Sequence, residues 1–365
     1  MKRLIVILSV LLLLGSCNPN EVQQETEKVK FSEKPKNVVL LIGDGMGVTQ
    51  IYAAMSVATE TLNLEKFKII GFHKTYSANN YITDSGAGGT ALAAGHKACN
   101  MHIAVDSLGN PFKSILEYAE DNNLATGLVV TSAITHATPA CFIAHDTSRY
   151  NYENIAMDFM DVDIDLFIGG GKKHFNERED SLNLIDSLKK NNYTIIDELK
   201  SFNPDMNGKF AVFTAKGHNP EVSKGRGDML PVSTQKALTF LDKSEKGFFL
   251  MVEGSQIDWG GHDNDIDYVT SEVIDFDKAV GEALKFAEMD GETLVIVTAD
   301  HETGGLSLPK GDDNKSDYKA HFSTDNHTGV MVPVFAYGPG AESFGGIYQN
   351  TDVFEKMMSA YGFKK

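Results

Sequence analysis

Asn37-Val38-Val39-Leu40-Leu41-Ile42-Gly43-Asp44 is the stretch that decides the fold. The unbroken aliphatic run from Val38 to Ile42 has no polar face. It therefore reads as a strand buried on both sides, as in a parallel sheet covered by two layers of helices. The same form recurs along the chain, at Asn37–Ile42, Thr126–Thr131, Asp165–Ile168, Lys209–Phe213, Gly247–Val252, Thr293–Thr298 and Val332–Ala336. Helical patterns lie between these runs, at Ser114–Asn122, Asp180–Lys190, Thr234–Lys243, Thr270–Ala287 and Val353–Tyr361. This alternation predicts an α/β fold that is doubly wound, with a mostly parallel central sheet and helices on both faces. The polar, Gly- and Asp-containing stretch Gly304–Asn326 reads as a surface loop or lid. With no internal repeat and no Pro-rich linker after residue 35, residues 36–365 are expected to form a single domain.

The apolar runs end on unusual polar residues. Asp44 follows Ile42-Gly43, Glu253 follows Phe248–Val252, Asp300-His301 follow Leu294–Ala299, and His136 comes shortly after Leu128-Val129-Val130. Each thus falls just past the C-terminal end of a predicted strand, the edge where open α/β sheets bind ligands. One such residue is ordinarily a cap or turn former. Several at one edge repel and desolvate one another unless cations lie between them, which points to a polynuclear metal site. Asp and His without Cys suit Zn²⁺, while carboxylate with hydroxyl and water suits Mg²⁺. Asp258 and His262 stand four apart, so one helical turn or a compact loop can aim both at one ion, and His327 adds a further imidazole.

A nucleophile is suggested by Thr83-Asp84-Ser85, which precedes the small-residue run Gly86-Ala87-Gly88-Gly89-Thr90-Ala91-Leu92. Ser85 would sit at a helix N-terminus, where free N–H groups attract anions and small residues let backbone approach a phosphate. The plainer alternative is that Asp84 or Ser85 only caps the helix. Two glycine-rich stretches carry no nucleotide signature. Gly43-Asp44-Gly45-Met46-Gly47 lacks the dinucleotide spacing and places a carboxylate where a pyrophosphate would lie. Gly169-Gly170-Gly171-Lys172-Lys173 lacks the Walker spacing and reads as turns.

Across 365 residues, Lys+Arg number 33 against Asp+Glu 50, a formal net charge of −17. So acidic a chain is unsuited to coating nucleic acid, which needs clustered Lys and Arg. Metal ions in one pocket can still reverse the local field for a small anion. Lys2 and Arg3 precede the apolar run Leu4–Leu14, too short to span a bilayer, and Leu14-Gly15-Ser16-Cys17 has the form of a bacterial lipobox. The expectation is a signal peptide over residues 1–16, a lipidated tether over 17–35 anchored to a membrane at Cys17, and an exported periplasmic or cell-surface lipoprotein. Cys99 and Cys141 read as buried free thiols, with a single bridge between them as the alternative.

Taken together, these segments resemble the alkaline phosphatases. The matching stretches are Leu41-Ile42-Gly43-Asp44-Gly45-Met46-Gly47, Thr83-Asp84-Ser85, His136-Ala137-Thr138-Pro139 through His145 to Arg149, Val252-Glu253-Gly254 through Asp258 to His262, Thr298-Ala299-Asp300-His301-Glu302-Thr303-Gly304-Gly305, and His327-Thr328-Gly329. The resemblance implies an alkaline phosphatase-like catalytic domain that hydrolyses small phosphomonoesters through a phosphoserine at Ser85. It implies two zinc ions, one on Asp258, His262 and His327, the other on Asp44, Asp300 and His301 with Ser85. It also implies a third ion, typically magnesium, on Asp44, Thr138 and Glu253, and Arg149 gripping two phosphate oxygens. The family is often dimeric, which makes a homodimer an expectation.

The chain departs from the best-known bacterial pattern at His136 and Trp259, where that pattern has Asp and Lys. Both would stand beside the phosphate. His136 can ligate the third ion and favour Zn²⁺ over Mg²⁺, and Trp259 supplies no ammonium. A related metallo-phosphodiesterase is the alternative enzyme, but such enzymes usually lack the third ion and the Arg. An inactive phosphate-binding lipoprotein is the alternative outside catalysis, though a pseudo-enzyme would be expected to have lost a ligand.

Overall fold

The computed structural model describes residues 29–311 and 318–365. The signal segment 1–16, Cys17 and the tether up to residue 28 lie outside the described residues. In chain order the strands are β1 (Asn37–Gly43), β2 (Ile69–Lys74), β3 (Ala125–Ala133), β4 (Leu166–Gly170), β5 (Tyr193–Ile196), β6 (Lys209–Phe213), β7 (Phe248–Gly254), β8 (Thr293–Thr298), β9 (Glu302–Thr303), β10 (Leu306–Gly311), β11 (Tyr318–Phe322), β12 (His327–Thr328), β13 (Val332–Tyr337) and β14 (Gly346–Gln349). Ten of them form one sheet in the order β14-β2-β13-β8-β1-β7-β3-β4-β6-β5. Only β13 runs antiparallel to its neighbours in that sheet. The doubly wound, mostly parallel sheet expected from the sequence is therefore observed.

Period-two alternation divides each buried strand between two cores. On β1, Val38, Leu40 and Ile42 face one layer and Val39 and Leu41 the other. The first layer receives Leu92 of the helix Ser85–Ala94, Ile115 and Leu116 of Ile115–Asp121, and Phe354 and Met357 of Thr351–Tyr361. The second receives Leu230 and Leu238 of Met229–Leu241 and Val273, Phe276 and Val280 of Ile266–Asp290.

Register brings the strand ends to one line. Ile42 of β1 pairs with Glu253 of β7 and with Thr298 of β8, so Asp44, Glu253 and Asp300 leave the sheet side by side. β3 lies against the other flank of β7, with Val130 opposite Glu253, and delivers His136 to the same edge.

Several boundaries differ from the sequence expectation. Strands β2, β5 and β14 escaped notice because they are short or half-exposed and lack a continuous apolar run. The long helix starts at Ile266 rather than Thr270, because the Asp265 side chain accepts hydrogen bonds from the Asp267 and Tyr268 amides. It ends at Asp290, where Gly291 takes a left-handed φ of 70°. The helix expected from Asp180 begins only at Leu184, with Asn183 as its cap. Gly304–Asn326 is not simply a loop, because it contains the antiparallel pair β10–β11, registered by Leu306 opposite Phe322. Cys99 and Cys141 are both free, as expected, but only Cys141 is fully buried. Among the described residues, no helix is long and apolar enough to cross a membrane.

Candidate functional site

At the start of the helix Ser85–Ala94 the capping falls to Asp84, not to Ser85. Asp84 is the N-cap, its Oδ1 accepting from the Ala87 amide at 3.0 Å. Ser85 is thereby relieved of capping, and its Oγ lies 3.2 Å from His301 Nε2. The second carboxylate oxygen of Asp84 accepts from the Met101 amide at 3.1 Å and from Arg149 Nη1 at 3.0 Å. One carboxylate thus fixes the helix start and the guanidinium together. Burial opposes the charge on Arg149, but Asp84 outweighs it and the guanidinium is held more firmly protonated than usual.

Three groups of ligand atoms converge at this edge. In the first, His262 Nε2 and His327 Nε2 each lie 3.4 Å from Asp258 Oδ1 and 3.2 Å from each other. Their other ring nitrogens donate to backbone, His262 Nδ1–H to Asp325 O at 2.6 Å and His327 Nδ1–H to Thr83 O at 2.8 Å. A carbonyl can only accept, so in the neutral rings the Nε2 lone pairs point inward, the arrangement that metal-binding imidazoles require. The antiparallel pair β9–β12 carries His327 here, with His327 opposite Thr303.

In the second group, ligand atoms of Asp44, Asp258 and His301 lie within 4.8 Å of one another. Asp300 Oδ2 stands at its margin, 3.2 Å from His301 Nε2, while its Oδ1 accepts from the Gly45 and His301 amides. The third group is Asp44, His136 and Glu253, again within 4.8 Å. The Thr138 hydroxyl is fully buried on the short helix that His136 begins. Asp44 belongs to the last two groups, between the first and the third.

The electrostatics suit a cation. Both Asp44 oxygens, Glu253 Oε1, Asp300 Oδ2, Thr138 Oγ1 and His136 Nδ1 are buried without a hydrogen-bond partner. Two carboxylates about 4 Å apart repel by roughly 4 kcal/mol even at an effective dielectric of about 20. Burial, then Asp300, Asp258 and Glu253, push the Asp44 carboxyl well above its ordinary range. Glu253 and Asp300 are likewise raised, chiefly by burial. Burial also opposes ionisation of Asp258, but hydrogen bonds from His262 and His327 outweigh it and hold the carboxyl low. Burial keeps His136 and His301 neutral, the form that ligates metal. The donor set, hard oxygens with inward imidazoles, fits Zn²⁺ and Mg²⁺.

The metal-ligand and phosphate-site residues expected from the sequence collect at this edge, Trp259 included, whose ring packs edge-on to His136 with centroids 6.1 Å apart. Three contributors were missed. Asp84 was read only as a possible cap. Thr303 bridges Asp258 and His301 through its hydroxyl. His218 packs against both His136 and Trp259. None carries a local signal for this role, because each makes a contact to a residue distant in sequence: Asp84 to Arg149, Thr303 to Asp258, and His218 to His136 and Trp259.

Comparison with known proteins agrees with this geometry. The alkaline phosphatase family model matches residues 35–321 and 310–363. Alkaline phosphatase 3 of Bacillus subtilis is 34% identical over 433 aligned positions, covering 95% of this chain and 93% of that protein. The solved alkaline phosphatase of the Antarctic bacterium TAB5 superimposes with a TM-score of 0.87 at 44% identity, covering 91% of this chain and 99% of that one. A variant of the TAB5 protein with a histidine exchanged for aspartate, solved with Mg bound in its M3 site, superimposes with the same TM-score of 0.87 at 43% identity, covering 91% of this chain and 99% of that one.

Proposed function

This chain belongs to the alkaline phosphatase family and is a phosphomonoester hydrolase, and we propose that it works through a phosphoserine at Ser85 with two zinc ions and a third metal. Asp258, His262 and His327 would hold one zinc, and Asp44, Asp300 and His301, with Ser85, the other. Asp44, Thr138 and Glu253 would hold the third, with His136 beside them. When bound, the ions supply the positive charge that lowers the pKa of the Ser85 hydroxyl and stabilises the oxygens entering and leaving phosphorus.

The residues do the rest. Arg149, aimed by Asp84, donates two N–H groups to phosphoryl oxygens, a planar fork matched to two acceptors. The free amides at the start of the helix Ser85–Ala94 add positive field on the same side. Ser85 Oγ passes its proton to solvent and attacks phosphorus in line; the Oγ–P bond forms, the ester P–O bond breaks, and the departing alkoxide takes a proton from solvent and leaves as the alcohol. Water then attacks from the vacated side, the Oγ–P bond breaks, and phosphate departs as Ser85 regains a proton. The alcohol needs little recognition on this scheme, so broad monoester specificity follows.

The observation that carries this reading is Ser85 Oγ at 3.2 Å from His301 Nε2, where the second ligand group meets the Asp84–Arg149 pair. Incubation with a labelled phosphomonoester, acid quench and peptide mapping should find the phosphoryl group on Ser85, and Ser85→Ala should remove both it and most turnover. A phosphoryl group trapped on another residue would refute the assignment. The proposal extends to location: the charged start, short apolar core and Leu14-Gly15-Ser16-Cys17 support export and a lipid anchor at Cys17.

A further inference from the structure

His218 stands at the surface, yet its ring is fixed. Its Nδ1 accepts from the Ala133 amide at 3.0 Å, so in the neutral ring the proton resides on Nε2. Ala133 ends β3, three residues before His136, so the strand exit that launches His136 also holds His218. The His218 ring packs edge-on to Trp259 with centroids 4.9 Å apart, and edge-on to His136 at 5.6 Å. His136, Trp259 and His218 thus form a closed corner of three rings, each nearly perpendicular to the others.

The loop that carries His218 is built to hold it there. Thr214 N–H donates to Gly169 O at 2.8 Å, Gly171 N–H to Gly217 O at 2.6 Å, and Lys173 N–H to Lys216 O at 3.0 Å. These contacts give the run Gly169-Gly170-Gly171 a purpose that its lack of a nucleotide signature left open. A Cβ at Gly170 would lie 2.1 Å from Gly217 O, so only glycine lets the loop close down on β4. On the far side, the buried Gln256 side chain donates to Thr131 O at 3.2 Å and to Asn219 O at 2.9 Å. Tyr268 OH donates in turn to Gln256 Oε1 at 2.9 Å. Gln256 lies three residues before Trp259, so the residue after His218 is tied to the segment that presents Trp259.

We propose that His218 is a positioning residue for the third metal site: it sets the ring planes of His136 and Trp259 and thereby the affinity of that site. The proposal rests on the reading that His136 borders the third ion. Residues that orient a ligand ring typically contribute 10- to 100-fold to metal affinity. Loss of the His218 ring should therefore weaken the third ion by about tenfold and leave the two ions on the other groups in place.

Trp259 is the single tryptophan of the chain, which gives a reporter independent of turnover. The full-length protein is compared with His218→Asn, which keeps an acceptor for the Ala133 amide but removes the ring, and with Gly170→Ala, whose Cβ would press on Gly217 O at 2.1 Å and, less closely, on Ser132 O at 3.1 Å, displacing the loop and crowding the end of β3. Tryptophan emission and acrylamide quenching are measured on metal-free protein. Bound Zn²⁺ and Mg²⁺ are counted after dialysis against graded concentrations of each ion, the third equivalent bound reporting the third site. Both variants are expected to shift emission to the red, quench more readily and raise the third-ion midpoint about tenfold, while still forming the Ser85 phosphoenzyme. An unaltered third-ion midpoint in His218→Asn, whatever its emission, would overturn the proposal. His136→Ala separates the two ideas: if it leaves the third-ion midpoint unmoved, the placement of the third ion is what fails, and the role of His218 falls with it.

Discussion

Replacing Asp84 by asparagine separates its work as a helix cap from its work on Arg149. Oδ1 is preserved in the amide and can still accept from the Ala87 amide. The group that replaces Oδ2 is an NH₂, which faces two donors, the Met101 amide at 3.1 Å and Arg149 Nη1 at 3.0 Å. Rotating the amide to satisfy these two would cost the cap instead. Hydrogen bonds to charged groups contribute about 1.5–3 kcal/mol. The Asp84 and Arg149 side chains are only 15% and 13% exposed, so solvent screens the pair only in part. Taking about 1.4 kcal/mol, just below that range because solvent screens the pair in part, the freed guanidinium should bind phosphoryl oxygens about tenfold more weakly. KM for a simple aryl phosphate and the inhibition constant of inorganic phosphate should rise together by that factor. Loss of the Met101 acceptor should lower stability by about 1 kcal/mol. Steady-state kinetics with phosphate inhibition and a denaturant titration give both readouts. A stability loss with KM and phosphate inhibition unchanged would show that Asp84 is only a cap and that Arg149 needs no aiming.

Further predictions follow from the charge cluster and from the chain's departures from the common pattern. In chelated protein, Asp44, Glu253 and His262 keep protons in the fold that the unfolded chain has released, His262 because the Asp258 hydrogen bond raises it to about 9. Such raised groups stabilise the fold below the unfolded pKa, and that contribution is lost as pH rises through the folded one. Chelated protein should therefore lose stability between pH 7 and 8, with a slope that Zn²⁺ abolishes; equal slopes in denaturant titrations with and without metal would contradict this. His136→Asp with Trp259→Lys should raise Mg²⁺ occupancy and tighten phosphate inhibition, less or more than the two single changes predict because both act on one site. Ion counts and inhibition constants for the three variants check it. Cys17→Ser should move the protein from the membrane fraction to the soluble one or stall its maturation, as seen by fractionation and N-terminal mapping.

How much of this was legible in the sequence depends on the range of the forces involved. The buried central strands announce themselves because both faces are apolar, and their exits announce the site because a carboxylate directly after such a run is costly. Asp44, Glu253 and Asp300-His301 needed no structure to be noticed. What the sequence did not reveal was the register that aligns them, Ile42 with both Glu253 and Thr298, since parallel pairing joins residues more than two hundred positions apart. The half-exposed strands β2 and β14 were illegible for the opposite reason, because a strand with one wet face leaves only a weak pattern. Asp84, Thr303 and His218 were missed because their contribution lies in a hydrogen bond or ring contact made to a distant segment.

The same cluster links folding to catalysis. A sheet edge that gathers Asp44, Asp258, Glu253 and Asp300 works against its own stability, and the unpaired oxygens of Asp44, Glu253 and Asp300 measure how far the protein alone falls short of satisfying them. An apolar or singly charged edge would fold more readily but could not hold several ions close enough to share one phosphoryl group. The surrounding architecture reads as the counterweight: two apolar cores on either side of β1, a β9–β12 clasp that brings His327 across, and backbone carbonyls at Asp325 and Thr83 that fix the imidazoles before any ion arrives. Preorganisation of that kind lowers the cost of binding each ion, because the ligands have already lost their freedom in folding. On the proposed scheme, the acidic cluster is tolerable in the fold for the reason that it would be useful in the reaction: bound cations would satisfy the oxygens that the protein leaves unpaired.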